Sequence, residues 1–198
     1  WSNGGNNYLT TVNSGTYSIN ITDQNGCSIS ESFSLTNPAA IISTTTTTNV
    51  NCFGGNDGSA SISITSGGTA PYSYLWSNGQ TTNIASGLSQ GTYSCIITDA
   101  NSCLDSASVV IVEPDEIIST TTSIDASCYD DCDGSIEVTV SGGTPPYSYI
   151  WTNGQSTQTA TGLCAGFYNV TITDGNNCLV IESAIVNEPN PLLINIWI

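Results

Sequence analysis

Residues 76–80 read Trp-Ser-Asn-Gly-Gln, and residues 151–155 read Trp-Thr-Asn-Gly-Gln, 75 residues further on. Residues 1–4, Trp-Ser-Asn-Gly, begin another copy at the same spacing. Asn-Gly between apolar segments is a strong signal for a tight turn after a β-strand. The recurrence of this strand end and turn indicates an internally repeated β structure.

Further markers keep this period. Cysteines follow a Thr-Asp-x-Asn-x pattern at Cys27, Cys103 and Cys178, and prolines recur at Pro38, Pro114 and Pro189. We therefore divide the chain into four parts: the C-terminal half of a repeat (1–38), two complete repeats (39–114 and 115–189), and the first strand of a further repeat (190–198).

Within each repeat, alternation of polar and apolar residues predicts β-strands, as in residues 135–140 and 168–172. Gly, Asn and Asp pairs separate these segments, and no helical pattern is present. Six or seven short strands in about 75 residues predict an all-β fold of tandem immunoglobulin-like β-sandwiches. Short proline-containing junctions leave few free residues between repeats, so the sandwiches are expected to stack end to end as a rod.

The aromatic residues have two interpretations. Trp76 and Trp151 share a strand face with tyrosines, which favours a place in the core, whereas exposed rings would form a platform for a ligand. Tyr93 and Tyr168 precede a late strand, where a tyrosine corner or a simple buried tyrosine is expected.

The composition excludes whole classes of function. The chain has sixteen acidic residues, no Lys, Arg or His, and a formal net charge of −16. Binding of nucleic acid needs cations that replace counterions on phosphates, and anionic membranes are disfavoured for the same electrostatic reason. The sequence contains no apolar run of 18 residues, so direct membrane insertion is not expected.

Without basic side chains, catalysis is poorly supported, and we predict that the chain is not an enzyme.

Eight cysteines in an acidic chain indicate an oxidising, extracellular compartment. Cys52 and Cys103 occupy the same repeat positions as Cys128 and Cys178, which predicts one disulfide within each complete repeat; Cys27 then needs an upstream partner. Cys132 and Cys164 occur together in only one repeat, which predicts a local bridge between them. Cys95 stands where the other repeats have Ile19 and Val170, so we expect a buried free thiol.

An acidic cluster formed by Asp130, Asp131 and Asp133 suits a structural calcium ion, the one cofactor considered. The sequence lacks a complete calcium-loop motif, and capping of turns by the same carboxylates is the alternative.

Taken together, the markers from Cys128 to Cys178 resemble the SprB-type repeat of giant cell-surface gliding adhesins of Bacteroidetes. They include the segment 142–154, Gly-Gly-Thr-Pro-Pro-Tyr-Ser-Tyr-Ile-Trp-Thr-Asn-Gly, and the Thr173-Asp174-x-x-Asn177-Cys178 turn. Residues 146–154 are also similar to polycystic-kidney-disease-type Ig-like modules. This resemblance implies type IX secretion and a place in a long surface filament.

The sequence thus predicts an extracellular stalk segment of an adhesin that serves attachment or gliding. Its partners would be neighbouring repeats of the same chain and extracellular surfaces or polysaccharide. Two alternatives remain: a glycan-binding, lectin-like module, which exposed aromatics would favour, and a pilus-like subunit completed by strand donation.

Overall fold

The computed structural model describes residues 12–194. This part of the chain contains strands and no helix. An N-terminal hairpin is followed by two sandwiches with the same order of strands. The hairpin consists of β1 (Gly15–Thr22) and β2 (Ser28–Leu35). The first sandwich consists of β3 (Ile42–Thr48), β4 (Gly58–Ser66), β5 (Ser73–Trp76), β6 (Ile84–Leu88), β7 (Gly91–Thr98) and β8 (Leu104–Ile111). The second consists of β9 (Ile118–Ile124), β10 (Gly134–Ser141), β11 (Ser148–Trp151), β12 (Thr159–Leu163), β13 (Gly166–Thr173) and β14 (Leu179–Val186).

Each sandwich has two three-stranded antiparallel sheets. In the first sandwich the orders are β3-β4-β6 and β5-β7-β8, and in the second they are β9-β10-β12 and β11-β13-β14. The chain changes sheet between the second and third, third and fourth, and fourth and fifth strands of each sandwich. This is the immunoglobulin-like arrangement, so the predicted fold class is confirmed.

The alternating pattern builds the cores. In β10, Ile136 and Val138 are fully buried, whereas Glu137 and Thr139 face solvent. Their apolar partners come from the facing sheet, where Val170 and Ile172 of β13 are fully buried. The first sandwich has an equivalent core.

The hairpin repeats the register of the last two strands of a sandwich, because Gly15 pairs with Leu35 as Gly91 pairs with Ile111. Strands β1 and β2 form a two-stranded sheet, and apolar side chains such as Phe33 are more than one third exposed. The copy of the repeated segment at residues 1–4 lies outside the described residues.

At the other end, Pro189 to Ile194 are irregular and exposed. Residues 190–194 therefore form no strand in the structure. The rest of the strand predicted at 190–198, residues 195–198, lies outside the described part of the chain.

Candidate functional site, the junction between the sandwiches

A disulfide between the two sandwiches joins Cys52 to Cys178. The S–S distance is 1.99 Å and the Cα–Cα distance is 5.6 Å. Cys52 lies in the loop between β3 and β4 (residues 49–57, the Cys52 loop), and Cys178 ends the turn between β13 and β14 (residues 174–178, the Cys178 turn). The bond therefore links one end of the first sandwich to the facing end of the second.

This bond shows that the predicted pairing within each repeat, Cys52 with Cys103 and Cys128 with Cys178, is wrong. Within the first sandwich, the Cys52 loop is tied to the far end of β8, because the amide of Val50 donates to the carbonyl of Val112 at 3.0 Å. Cys103 directly precedes β8, whose eight residues span about 26 Å. A disulfide needs Cα atoms less than about 7 Å apart, so the two cysteines of one repeat cannot meet.

A hydrogen bond supports the disulfide at the same place. The side-chain amide of Asn176 donates to the carbonyl of Asn51 at 2.9 Å, and it also lies 3.2 Å from the hydroxyl of Thr144. The contact with Thr144 orients the amide towards the first sandwich. The junction is therefore held by one covalent and one polar contact in addition to the linker.

The linker is itself bound to both sandwiches. The Glu113 carboxylate accepts a hydrogen bond from the amide of Gly54 in the first sandwich at 2.7 Å. The Asp115 carbonyl accepts one from the amide of Gly143 in the second sandwich at 2.9 Å. Pro114 is the residue between these two anchors, and its ring restricts the backbone further.

The backbone of the linker packs closely against the backbone of the second sandwich at Gly142. Gly142 adopts a left-handed conformation with φ 73°. A Cβ atom at this position would lie 1.9 Å from the carbonyl oxygen of Glu116. Glycine is therefore required here for both conformation and space. The first sandwich repeats this arrangement at Gly67, against Ala40.

A buried carboxylate shapes the Cys178 turn. Asp174 is 5% exposed and accepts three backbone hydrogen bonds at 2.9 Å, from the amides of Thr144, Asn176 and Cys178. Burial by itself raises the pKa of Asp174, but the three amides lower it more, so the net pKa lies below its usual range. The ionised carboxylate therefore fixes the backbone that presents Cys178 to the first sandwich.

The remaining cysteines fall into two groups. Cys132 and Cys164 form the predicted local disulfide, with a Cα–Cα distance of 3.8 Å. The structure leaves four thiols unbonded: Cys95, which is buried, Cys103, which is partly exposed, and Cys27 and Cys128, which are exposed. Burial raises the pKa of the Cys95 thiol, which keeps it protonated and unreactive.

Two of the three carboxylates in the acidic cluster cap backbone amides. Asp133 accepts a hydrogen bond from the amide of Ser127 at 2.8 Å, and Asp131 accepts one from the amide of Cys132 at 3.0 Å. Asp130 contributes its own amide, which donates to Glu188 at 2.8 Å. Among residues 12–194, no group of three acidic, histidine or cysteine side chains has a metal-binding arrangement. The calcium interpretation therefore finds no support among the described residues, and the carboxylates of Asp131 and Asp133 satisfy the backbone of the loop.

Trp76 and Trp151 belong to the cores. Trp76 and Trp151 are 1% and 2% exposed, and their indole nitrogens donate to backbone carbonyls at 2.9 and 2.8 Å. The hydroxyls of Tyr93 and Tyr168 donate to carbonyls four residues upstream at 3.1 and 3.0 Å, which is the geometry of a tyrosine corner. These two tryptophans therefore form no exposed platform for a sugar ring.

Sequence reasoning missed the junction. The bond within a repeat is excluded by the tertiary contact between Val50 and Val112, which places Cys52 at the end of β8 opposite to Cys103. The correct partner of Cys52 depends on how consecutive sandwiches meet.

The topology and the junction define the class: tandem immunoglobulin-like repeats joined end to end. Residues 44–81 and 120–156 match the family model of the SprB repeat, so the resemblance to SprB-type repeats is confirmed in both sandwiches. The two sandwiches are thus similar to SprB repeats, a type of cell-surface, adhesin-type repeat module.

The solved structures that are similar to this chain have low sequence identity and TM-scores below 0.5. The N-terminal eight Ig domains of Down Syndrome Cell Adhesion Molecule isoform 1.30.30 are 13% identical with a TM-score of 0.45, over 89% of this chain and 28% of that chain. An amphioxus IgVJ-C2 molecule is 16% identical with a TM-score of 0.30, over 61% of this chain and 90% of that chain. Murine CEACAM1b is 15% identical with a TM-score of 0.28, over 80% and 90%. No curated protein is significantly similar in sequence. Residues 12–194 contain no helix long and apolar enough to cross a membrane.

Proposed function

We propose that this chain is a non-catalytic stalk segment of a large, secreted, filamentous adhesin that serves attachment to surfaces and gliding. The observation that carries the proposal is the covalent junction between consecutive sandwiches. A spacer has to hold its modules in line, and the Cys52–Cys178 bond joins two facing ends that the linker already connects.

The junction gives the stalk two covalent paths between its modules. Tension enters the second sandwich through the linker at Pro114 and also through the Cys178 turn. Two separated attachments oppose bending and twisting, which a single flexible linker does not. This arrangement suits a fibre that transmits force from a surface contact to the cell.

The composition suits life outside the cell. Because the chain has no Lys or Arg, proteases with trypsin-type specificity have no cleavage site in it. The charge of −16 keeps neighbouring fibres apart, since like charges repel. We infer that the repeats contact neighbouring repeats of the same chain and extracellular surfaces or polysaccharide.

Deletion of the parent gene tests this function. We expect attachment or surface movement to be impaired while growth in liquid stays normal. Re-expression of the parent with Cys52→Ser should restore less movement than re-expression of the unchanged protein, because the junction is weakened. A Glu137→Gln variant, changed on an exposed strand position of the second sandwich, is the matched control and should restore movement fully.

Two results would contradict the proposal. One is hydrolysis of a polysaccharide by the purified chain, which would indicate an enzyme. The other is tight binding of one defined sugar through a single repeat, which would indicate a lectin. The burial of Trp76 and Trp151 supports the stalk over the lectin.

A further inference from the structure

We propose that the Cys128 loop (residues 125–133) and the Cys103 turn (residues 99–103) each form one half of a further junction like the one between Cys52 and Cys178. Each half is completed by a disulfide to another repeat of this type, stacked head to tail. The occupant of each end is therefore a further SprB-type repeat. This inference goes beyond the proposed function, because it concerns how the repeats are bonded and holds for any role of the fibre.

The Cys128 loop has the same internal bonds as the Cys52 loop. The amide of Ser127 donates to Asp133 at 2.8 Å, just as the amide of Asn51 donates to Asp57 at 3.0 Å. In each loop, an amide also donates to the glutamate that precedes the next proline. The amide of Asp130 donates to Glu188 at 2.8 Å, and the amide of Gly54 donates to Glu113 at 2.7 Å. The conformation that presents Cys52 to the second sandwich is thus reproduced around Cys128.

The tips of the two loops also share their backbone conformation. Asp130 has φ 61° and its equivalent Gly54 has φ 69°. A left-handed conformation is uncommon for a residue with a side chain, so its retention at Asp130 shows that the loop keeps the same shape with a different residue.

The Cys103 turn reproduces the other half of the junction. The carboxylate of Asp99 accepts hydrogen bonds from the amides of Thr69, Asn101 and Cys103 at 2.8 to 2.9 Å, the pattern that Asp174 makes in the Cys178 turn. The side-chain amide of Asn101 donates to the hydroxyl of Thr69 at 3.0 Å. Its equivalent Asn176 makes this contact and, in addition, donates to the first sandwich. A carbonyl of a preceding repeat would supply that second acceptor for Asn101.

The two outer cysteines are accessible and unbonded. Cys128 is exposed and Cys103 is partly exposed. A groove of about 560 Å³ lies beside Cys128, lined by residues 127–129 and 189–192. Residues 127 and 128 of this groove correspond to Asn51 and Cys52, which contact the Cys178 turn at the internal junction. The outer end of the second sandwich therefore continues the interface that the structure already shows.

The bond forms by thiol–disulfide exchange with a low-molecular-weight disulfide, such as oxidised glutathione. One cysteine thiolate attacks a sulfur of this oxidant, forms a mixed disulfide and releases one glutathione thiolate. The thiolate of the facing repeat then attacks the protein sulfur of the mixed disulfide, which forms the junction bond and releases the second glutathione thiolate. The two protein thiols are oxidised, the oxidant is reduced to two thiols, and these take up the two protons that the protein loses.

A chain with one added repeat tests the inference. Residues 1–189 are followed by a second copy of residues 115–198, so that Asp115 again follows a proline, as it does at the internal junction. The added copy carries Cys128→Ser, so that it has no second thiol at this position, and Leu179→Val at an exposed position, so that its Cys178 peptide differs in mass from the original one. The protein is refolded in a glutathione buffer, digested without reduction by proteases that cleave at acidic and aromatic residues, and mapped by mass spectrometry. We expect a peptide that links Cys128 to the added copy of Cys178, and loss of maleimide labelling at Cys128.

Controls keep the result interpretable. The unextended chain should label at Cys128 and Cys103 but not at the buried Cys95. In the extended chain, Cys128→Ser should leave the added copy of Cys178 open to maleimide. The peptides that join Cys52 to Cys178 and Cys132 to Cys164 report, in the same digest, that both original sandwiches have folded.

The inference is overturned if Cys128 stays labelled, or bonds to any cysteine other than the added copy of Cys178, in molecules that contain both reporter peptides. Absence of the Cys52–Cys178 peptide would also overturn it, because the equivalence rests on that bond. These outcomes do not depend on attachment or gliding, so they are distinct from failure of the proposed function.

Discussion

At the scale of single residues, Asp99 and Asp174 show how a carboxylate stays buried and ionised in a chain without any basic side chain. Both are 5% exposed, and each receives three backbone amides in place of a counterion. Partial positive charges on three amides replace the hydration that burial removes. The amides of the turn therefore keep the buried carboxylate ionised, and the carboxylate in turn fixes the backbone conformation of the turn.

Substitution of Asp99 by Asn is expected to destabilise the first sandwich and to reduce its sensitivity to acid. An amide has one acceptor oxygen, so either the Thr69 amide or those of Asn101 and Cys103 would face an NH₂ group. In the unchanged chain, the pKa of Asp99 is lower in the folded state than in the unfolded state, where it is about 4. The ionised Asp99 therefore stabilises the fold fully above about pH 4, and this contribution is lost as the pH falls through the pKa of the folded state.

Denaturant unfolding between neutral and acidic pH measures this effect. The Asp99→Asn variant should have a lower free energy of unfolding at neutral pH and a shallower decrease below about pH 4. Glu137→Gln, on an exposed strand position, removes the same charge and should change both quantities less. Equal effects of the two substitutions would show that net charge, and not the buried carboxylate, governs acid stability.

A second residue-scale prediction concerns backbone strain in the same turn. Ser102 adopts φ 66°, where the equivalent position of the hairpin has Gly26 at φ 85°. Ser102→Gly should raise the free energy of unfolding by about 0.5–1 kcal/mol. Glycine removes the steric cost of the left-handed conformation, and this gain exceeds the additional backbone entropy that glycine loses on folding. Asn177→Gly is the control, since asparagine tolerates the left-handed region, and its gain should be smaller. A loss of stability in Ser102→Gly would contradict the strain argument.

At the scale of elements, the linker and the loop between β10 and β11 pack so closely that one Cβ atom decides their fit. Gly142→Ala should destabilise the second sandwich by at least about 3 kcal/mol, because the new methyl group would lie 1.9 Å from the Glu116 oxygen. Gly154→Ala is a matched control with φ 87° and no atom within 4 Å of the added Cβ, so it should cost only about 1–2 kcal/mol.

Thermal and denaturant unfolding of both variants distinguishes conformation from contact. If Gly142→Ala and Gly154→Ala lose similar stability, the left-handed conformation alone explains the glycine, and the linker is not held by close packing. A further readout is the junction, because displacement of the linker in Gly142→Ala should reduce the yield of the Cys52–Cys178 peptide.

At the scale of the whole molecule, the linker and the disulfide together hold the two sandwiches end to end. We expect small-angle scattering of the oxidised chain to show an elongated particle with a defined arrangement of its modules. The double variant Cys52→Ser/Cys178→Ser should broaden the distribution of distances within the particle, because Pro114 and the anchored linker then remain as the main connection. A compact particle, or an unchanged profile in the variant, would contradict a junction stiffened by the disulfide.

The variant Cys132→Ser/Cys164→Ser is the control for this experiment. It removes the other disulfide, which closes a sequence separation of 32 residues within the second sandwich. The loss should lower the stability of that sandwich by about 3–4 kcal/mol and leave the scattering profile unchanged. The two double variants thus separate stability within a module from stiffness between modules.

Local signals in the sequence were sufficient for the fold. The 75-residue period, the alternation around Ile136 and Val138, and the Asn-Gly and Gly-Gly turns predict tandem immunoglobulin-like sandwiches, because strands and turns depend on neighbouring residues. The same reasoning predicts a core position for Trp76 and Trp151, which the structure buries in full. It also predicts the bond between Cys132 and Cys164, which are present together in one repeat and lie within one sandwich.

The tertiary structure alone decided the partner of Cys52 and the role of the acidic loop. Equivalent positions in a repeat identify which cysteines play the same part, but a disulfide forms between sulfur atoms that meet in space, and Cys52 meets Cys178 only because one sandwich stacks on the end of the next. Likewise, the sequence leaves calcium binding and turn capping open for Asp130, Asp131 and Asp133, and only the placed backbone shows that Asp131 and Asp133 cap amides. Contacts across a junction depend on the relative placement of two folded modules, which no pattern within a single module encodes.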